Sequence, residues 1–378
     1  LKILEAAASI AVPPALLGQL MSLAGNVALN VDSKQKIDRL LSNNVVALRA
    51  VHQAASWPRS RFPIDSNIGA AYRPLHHHSI YQLALLTRAE ALLRANAGDV
   101  ASAVESIAAS FGLARTLAAD LNTSAAWIRS MCLQLIGSSL EELLGQHQVS
   151  KTDLKRLLRL LSDVENESKF DRVLAGQRAV DLTAYYLPQE LFYQVTRPDL
   201  GREQSILFSM IFRALRMTGI RDLDSLSYVN GADEWMAMSR LNYPERLTKA
   251  KELDQRFETY LSRRPHFMLS RKLRSIAESE AGFAEKAAYL RAAQAALAIE
   301  GHRLEKGQLP VSLDDLAPRF IAVVPTDPFD GRPLRYKRLE KGYTIYSIGR
   351  DSADNGGKET KRRTRVMNHQ DITFTVAR

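Results

Sequence analysis

The sequence predicts a mainly α protein: an irregular α-helical bundle or solenoid of helical hairpins, followed by a small α+β module in which a long helix packs on an antiparallel sheet. Three observations carry that expectation. Apolar residues recur at helical spacing over most of 33–303, short polar loops join the periodic segments, and the rhythm switches to alternation only after Gly307. The implied organisation is a repeat-like helical domain over 1–269 and an α+β module over 270–378.

Composition narrows the class. A length of 378 residues makes two domains the default, and 46% hydrophobic with 24% charged residues excludes global disorder. Cys132 is the one cysteine, so an intramolecular disulfide framework and any Cys-rich metal site are excluded. The net charge is +10, but basic residues scatter through the helical segments, except in the run Lys358-Glu-Thr-Lys-Arg-Arg-Thr-Arg365. A solvated loop is the preferred reading of that run over a patch for an anionic polymer or membrane surface, and a nucleic-acid partner is not expected.

From Ala6 to Val31 the chain carries no charge, yet Pro13-Pro14, Gln19 and Asn26 interrupt it and large apolar residues are sparse. That predicts a buried, broken helix rather than a membrane span. The chain opens on Leu1, so membrane association is expected, if at all, through residues upstream of it. Ile37, Leu40, Leu41, Val45, Leu48 and Val51 then form one 3.6-period face. The stretch 57–72 is a proline-marked loop whose Arg59, Arg61, Asp65 and Tyr72 could line a groove, although a packed loop is preferred.

A helix is predicted over 74–95, and Gly98-Asp99 ends it and caps the next, which carries Val100, Val104, Ile107, Phe111 and Leu117. The segment 83–107, with small alanines between the helices and Gly-Asp at the turn, is similar to a tetratricopeptide-type hairpin, without a clean second copy. Helices follow over 124–146, 150–165 (capped by Ser150), 168–186, 205–217 and 232–241, and another starts at Tyr243-Pro244. A long helix over 270–306 carries a stripe of Ile276, Phe283, Ala287, Leu290, Ala293 and Leu297. After it, Ser312 caps a short turn, and 334–338, 343–348 and 372–376 alternate like half-buried strands.

The tail carries a resemblance. Leu304-Glu-Lys-Gly-Gln-Leu-Pro310, Pro325-Thr-Asp-Pro-Phe-Asp-Gly331 and Ser347-Ile-Gly-Arg-Asp351 follow one another behind the long helix. In that order, over 289–357, the chain resembles the globular module of the major pseudopilins of type II secretion systems. The resemblance implies a long helix packed on a small antiparallel sheet. It also implies a calcium loop, with Asp351 at the first ligand position and Asp354 and Asn355 as further oxygen donors. The basic run replaces the acidic cluster of the family, so a plain Gly/Asp turn is the preferred reading there. The module lacks the family's apolar assembly helix, and polymerisation as a pilus subunit is not expected. The whole arrangement resembles uncharacterised bacterial envelope proteins.

Other candidate chemistry is sparse. His76-His77-His78 is conspicuous, but consecutive helical residues point about 100° apart, so three ligands for one ion would require partners such as His52 or Asp65. A helix N-terminal surface is the preferred reading. No nucleophile elbow, phosphate loop or His-Glu-x-x-His is present. Cys132 in an apolar helix reads as a buried, inert thiol, and Asp327 and Asp330 as turn residues. The expectation is a non-enzymatic interaction or scaffold protein of the cell envelope, secretion-related, periplasmic or membrane-anchored, with a protein partner. The alternative is an enzyme of unrecognised type, with a cleft between helical domain and tail.

Overall fold

The structure is a computed structural model that describes residues 31–55, 62, 69–71, 74, 76–166, 170–187, 217–264, 267, 269–274, 276–358 and 371–378. The uncharged stretch over 6–30, the helix expected over 205–217 except its last residue, most of the loop over 57–72 and the basic run beyond Lys358 lie outside the described residues. The rest is mainly α with a small antiparallel sheet at the C-terminal end, the class that the periodicity predicts.

Ten α-helices are described: α1 (Val31–Asn43), α2 (Val45–Ala54), α3 (His76–Asn96), α4 (Val100–Thr116), α5 (Thr123–Gln146), α6 (Lys151–Asn166), α7 (Phe170–Leu182), α8 (Ile220–Ser239), α9 (Glu245–Ser262) and α10 (Ile276–Lys306). The first expected helix is two. The Asn44 side chain donates back to the Leu40 carbonyl, 2.8 Å away, and the helix breaks there, since short amides compete with the backbone ladder. The α3–α4 hairpin turns as expected: Gly98 has φ +80°, and the Asp99 carboxylate accepts from Ser102 N–H at 3.1 Å. Ser150 caps α6 through the Asp153 N–H at 3.1 Å. Longer than the expected 232–241, α8 begins at Ile220 after Gly219. The start of α10 is replaced by a 3₁₀ turn at Ser270–Leu273, where the fully buried Asp224 accepts from the Leu269 and Ser270 amides and from the Ser270 hydroxyl.

Strands β1 (Arg335–Leu339), β2 (Gly342–Ser347) and β3 (Ile372–Ala377) pair antiparallel in the order β1-β2-β3, with Tyr336 opposite Ile345 and Ile345 opposite Phe374. Gly342 is required at the turn: its φ is +124° and a Cβ would lie 1.9 Å from the Val376 carbonyl oxygen. Tyr343, Ile345, Phe374 and Val376 face the main core.

That core is drawn from both sides of residue 270. Residues of α2 to α6 share it with α10 and the sheet. The single stripe expected on α10 is too narrow a description, because 292–300 are buried all round. Helices α5 and α6 pack on α10, and so do β2 and β3. Small residues permit the approach: a Cβ on Gly137 of α5 would meet the Tyr289 ring of α10 at 2.5 Å. The contact is also polar. Buried Glu141 of α5 accepts from the Tyr289 hydroxyl at 2.7 Å and from Thr375 N–H of the edge strand β3 at 2.7 Å. A second, smaller core joins α8 and α9 to Phe267, Leu269, Leu273 and Ile276.

Candidate functional site

Two adjoining features stand out, a buried histidine–aspartate hub and an aromatic cleft. The hub corrects the surface reading of the histidine run. Proline at 74 starts the turn that leads into α3, where His77 N–H bonds to the Pro74 carbonyl at 3.0 Å. His76 and His77 both turn inward and are buried, while His78 is exposed. Their Nε2 atoms lie 3.0 and 2.8 Å from the same oxygen, Asp120 Oδ2, in the α4–α5 connection. Successive helical positions converge here because the carboxylate sits between their two directions, at the helix entrance. The Phe62 ring stacks on His76 with centroids 4.2 Å apart.

Asn122 fixes the hub's other side. Its Oδ1 caps α5, accepting from Ala125 N–H at 2.8 Å and from the Ser124 hydroxyl at 2.8 Å, while its amide nitrogen donates to Asp120 Oδ1. The Ser124 oxygen is 3.0 Å from His77 Nδ1. Burial works to raise the Asp120 carboxyl, but the hydrogen bonds and charge of the two imidazoles outweigh it and hold it at about 2. Of the partners named from sequence, His52 is engaged elsewhere. His52 pairs with Glu90 at 2.7 Å, and Asp65 lies outside the described residues.

Ser124 also lines the cleft, a cavity of about 500 Å³ between α5, α7, α8 and the start of α10. Trp127, Phe170, Tyr228, Trp235 and Phe283 supply its rings, with Phe170 and Phe283 centroids 4.8 Å apart. Trp127 is 45% exposed at the mouth, with Lys286 over its ring at 4.1 Å. Behind the rings, buried Glu280 takes Arg246 through bonds of 2.7 and 3.0 Å and receives Trp235 Nε1 at 3.3 Å. Asp181 in the wall accepts from the Tyr228 hydroxyl at 2.6 Å, from Gln177 at 2.9 Å and from Lys272. Burial, then the Asp181 charge, pushes the Tyr228 phenol well above its ordinary range.

In the tail, Asp351, Asp354 and Asn355 lie in one loop, and their polar atoms serve the loop itself. Asp351 Oδ1 accepts from Ala353 N–H at 3.1 Å, Asp354 Oδ1 from Gly356 N–H at 2.9 Å, and the Asn355 amide reaches Asp351 Oδ2 at 3.4 Å. Sequence reasoning missed Asp371, which closes the loop by accepting from Asn355 and Gly357 N–H. The Arg335 guanidinium, held by Asp327 and Asp330, stands 4.0 Å from Asp354 and puts a positive charge beside it. Asp327 does more than shape its turn: fully buried, it also takes Ser347 Oγ at 2.8 Å and Ile348 N–H at 2.9 Å.

Among the described residues, the one group of three His, Cys, Asp or Glu side chains whose donor atoms all lie within 4.8 Å of one another is His76, His77 and Asp120. Cys132 is buried, and burial pushes its thiol up to about 12. A thiol-specific aromatic disulfide reagent should therefore leave Cys132 unmodified in the native protein and modify it only in denaturant; rapid native labelling would contradict its burial. No described helix is long and apolar enough to cross a membrane. Compared with family models, curated proteins and solved structures, the chain matches none.

Proposed function

We propose that this chain is a non-enzymatic binding scaffold of the bacterial cell envelope, and that its aromatic cleft seats a segment of a partner protein carrying an apolar anchor next to an acidic side chain. The observation that carries the reading is the cleft's lining, in which Trp127, Trp235 and Phe283 stand beside Lys272 and Arg274, cations that Asp181 and Glu258 hold in place and that a partner's acidic side chain would share. One exposed and two half-buried aromatic rings beside cations match the composition of interface hot spots, where a few large side chains supply most of the binding energy. The chain's net charge of +10 favours an acidic partner. The envelope assignment rests on the tail's resemblance to secretion pseudopilins.

The enzyme alternative draws less support from the cleft. Among the described residues of its lining, the one carboxylate, Asp181, is already occupied by three donors, which does not favour it as a general base. Peptide display selected on the full chain tests the proposal. Selected peptides should pair an aromatic or leucine anchor with Asp or Glu, and Trp235→Ala should weaken their binding at least tenfold while far-UV circular dichroism is unchanged. Selection of no peptide, or peptides indifferent to Trp235→Ala and Trp127→Ala, would overturn it.

A further inference from the structure

The geometry points to a metal site at the hub: His76 Nε2, His77 Nε2 and Asp120 Oδ2 form the protein ligand set for one divalent transition ion of the zinc class. This goes beyond the binding role of the cleft and does not depend on it. The argument runs through the hydrogen atoms. Asn122 Oδ1 accepts the backbone N–H of Ala125, which settles which end of the amide is oxygen. The Ser124 hydroxyl can then only donate to that oxygen, 2.8 Å away, and its one hydrogen is spent. Its oxygen must therefore accept from His77 Nδ1 at 3.0 Å, so Nδ1 carries the proton.

In a neutral ring that leaves His77 Nε2 as a bare lone pair, 2.8 Å from a carboxylate oxygen. Two lone pairs at that separation repel. A positive charge has to lie between them, either a second proton on the ring or a cation shared by both atoms. His76 Nε2 reaches the same oxygen at 3.0 Å, so the charge has three donors around it. In a tetrahedral ion with bonds of about 2.0–2.1 Å, neighbouring ligand atoms lie about 3.3 Å apart. The two nitrogen–oxygen separations, 3.0 and 2.8 Å, need to lengthen by only a few tenths of an ångström to accept one.

The surroundings match what metal sites carry outside their ligands. A ligating imidazole hands its other N–H to a fixed acceptor, as His77 does to Ser124, and a ligating carboxylate has its second oxygen held, as Asn122 holds Asp120 Oδ1. Two imidazole nitrogens and one carboxylate suit zinc-class ions and not calcium or magnesium, which require oxygen shells. Three protein ligands leave a fourth position for water. The bound ion would tie the entrance of α3 to the α4–α5 connection, and through Ser124 it would brace one wall of the cleft.

Cobalt(II) and zinc(II) titrations of the full chain, first stripped with a chelator, test the assignment. One equivalent of cobalt should give visible ligand-field bands of a four- or five-coordinate site, and one equivalent of zinc should bleach them and raise the melting temperature. His77→Gln and Asp120→Asn should abolish the bands, whereas His78→Gln, at the exposed neighbour, should leave them intact. Ser124→Ala, which keeps all three ligands, should weaken zinc binding about 10–100-fold and serves where a ligand variant fails to fold. No bands with the unsubstituted chain would show that a proton fills the hub. Bands that survive His77→Gln, or that His78→Gln removes, would place the metal elsewhere, and either result overturns the proposal.

Discussion

Replacing Glu141 by Ala is expected to cost about 3–5 kcal/mol of stability, because it strands two buried donors and empties the space between them. Glu141 is 3% exposed and its two oxygens serve different elements, Tyr289 on α10 and Thr375 on β3. The bond to Thr375 is the more consequential one. β3 is an edge strand, and an unpaired N–H on an edge needs a partner once α5 covers it. Glu141→Gln keeps an acceptor for Thr375 and is expected to cost less than half as much. Urea unfolding of the two variants checks this; a loss below about 1 kcal/mol for Glu141→Ala would mean that α5 and the sheet are not joined as described.

The second large effect is at Arg88. Its guanidinium is 3% exposed between α3 and α5, where it donates to Glu142 Oε1 at 2.8 Å and to Ser138. Arg88→Ala leaves a buried carboxylate without its counter-charge, at a cost of about 3–5 kcal/mol. The double replacement Arg88→Met with Glu142→Leu removes both charges and is expected to recover most of that loss, since a packed apolar pair avoids the desolvation of two ions. The pH dependence has a definite sign. Burial raises the Glu142 carboxyl from its ordinary 4.5 to about 7, against the pull of Arg88. Between those values the folded state holds a proton that the unfolded state has released, so the contribution of Glu142 to stability falls as pH rises through the window. Without Arg88 the carboxyl rises further, and the deficit of the variant should be larger at pH 8 than at pH 5. Urea midpoints at the two pH values measure it, and a deficit that shrinks at pH 8 would contradict the account.

Much of the fold is readable from the sequence because its signals are local. Asp99 after Gly98, Ser150 before Asp153 and Ser312 before Asp315 mark helix or turn starts by contacts within a few residues, and each is found. The strands follow from alternation, and Gly342 marks their turn. Misreadings arose where a side chain competes with the backbone ladder or where distant elements decide. Asn44 breaks a helix whose apolar period runs straight through it. The one stripe on α10 gave way to burial on every side because helices and sheet approach it from different directions, a property of packing that periodicity does not encode.

The candidate site was the least legible part. The histidine run was visible, but its partner Asp120 is 44 positions from His76, and the Asp-Leu-Asn-Thr-Ser stretch around it carries the signature of an ordinary helix cap. Nothing local joins the two. The cleft likewise gathers Trp127, Trp235 and Phe283 from three separate helices, each of which alone reads as a core aromatic. In the tail, Asp371 was missed because the segment between it and Asn355 hides how near they lie.

Native-state hydrogen exchange across a denaturant series tests most directly whether helices and sheet are one body around α10. The amides of 140–144 in α5, 292–299 in α10 and 343–346 in β2 should open together, with the same free energy and the same denaturant dependence. Strand amides that exchange several kcal/mol below those of α5 would contradict it, and would make the sheet an appendage on an independent helical domain.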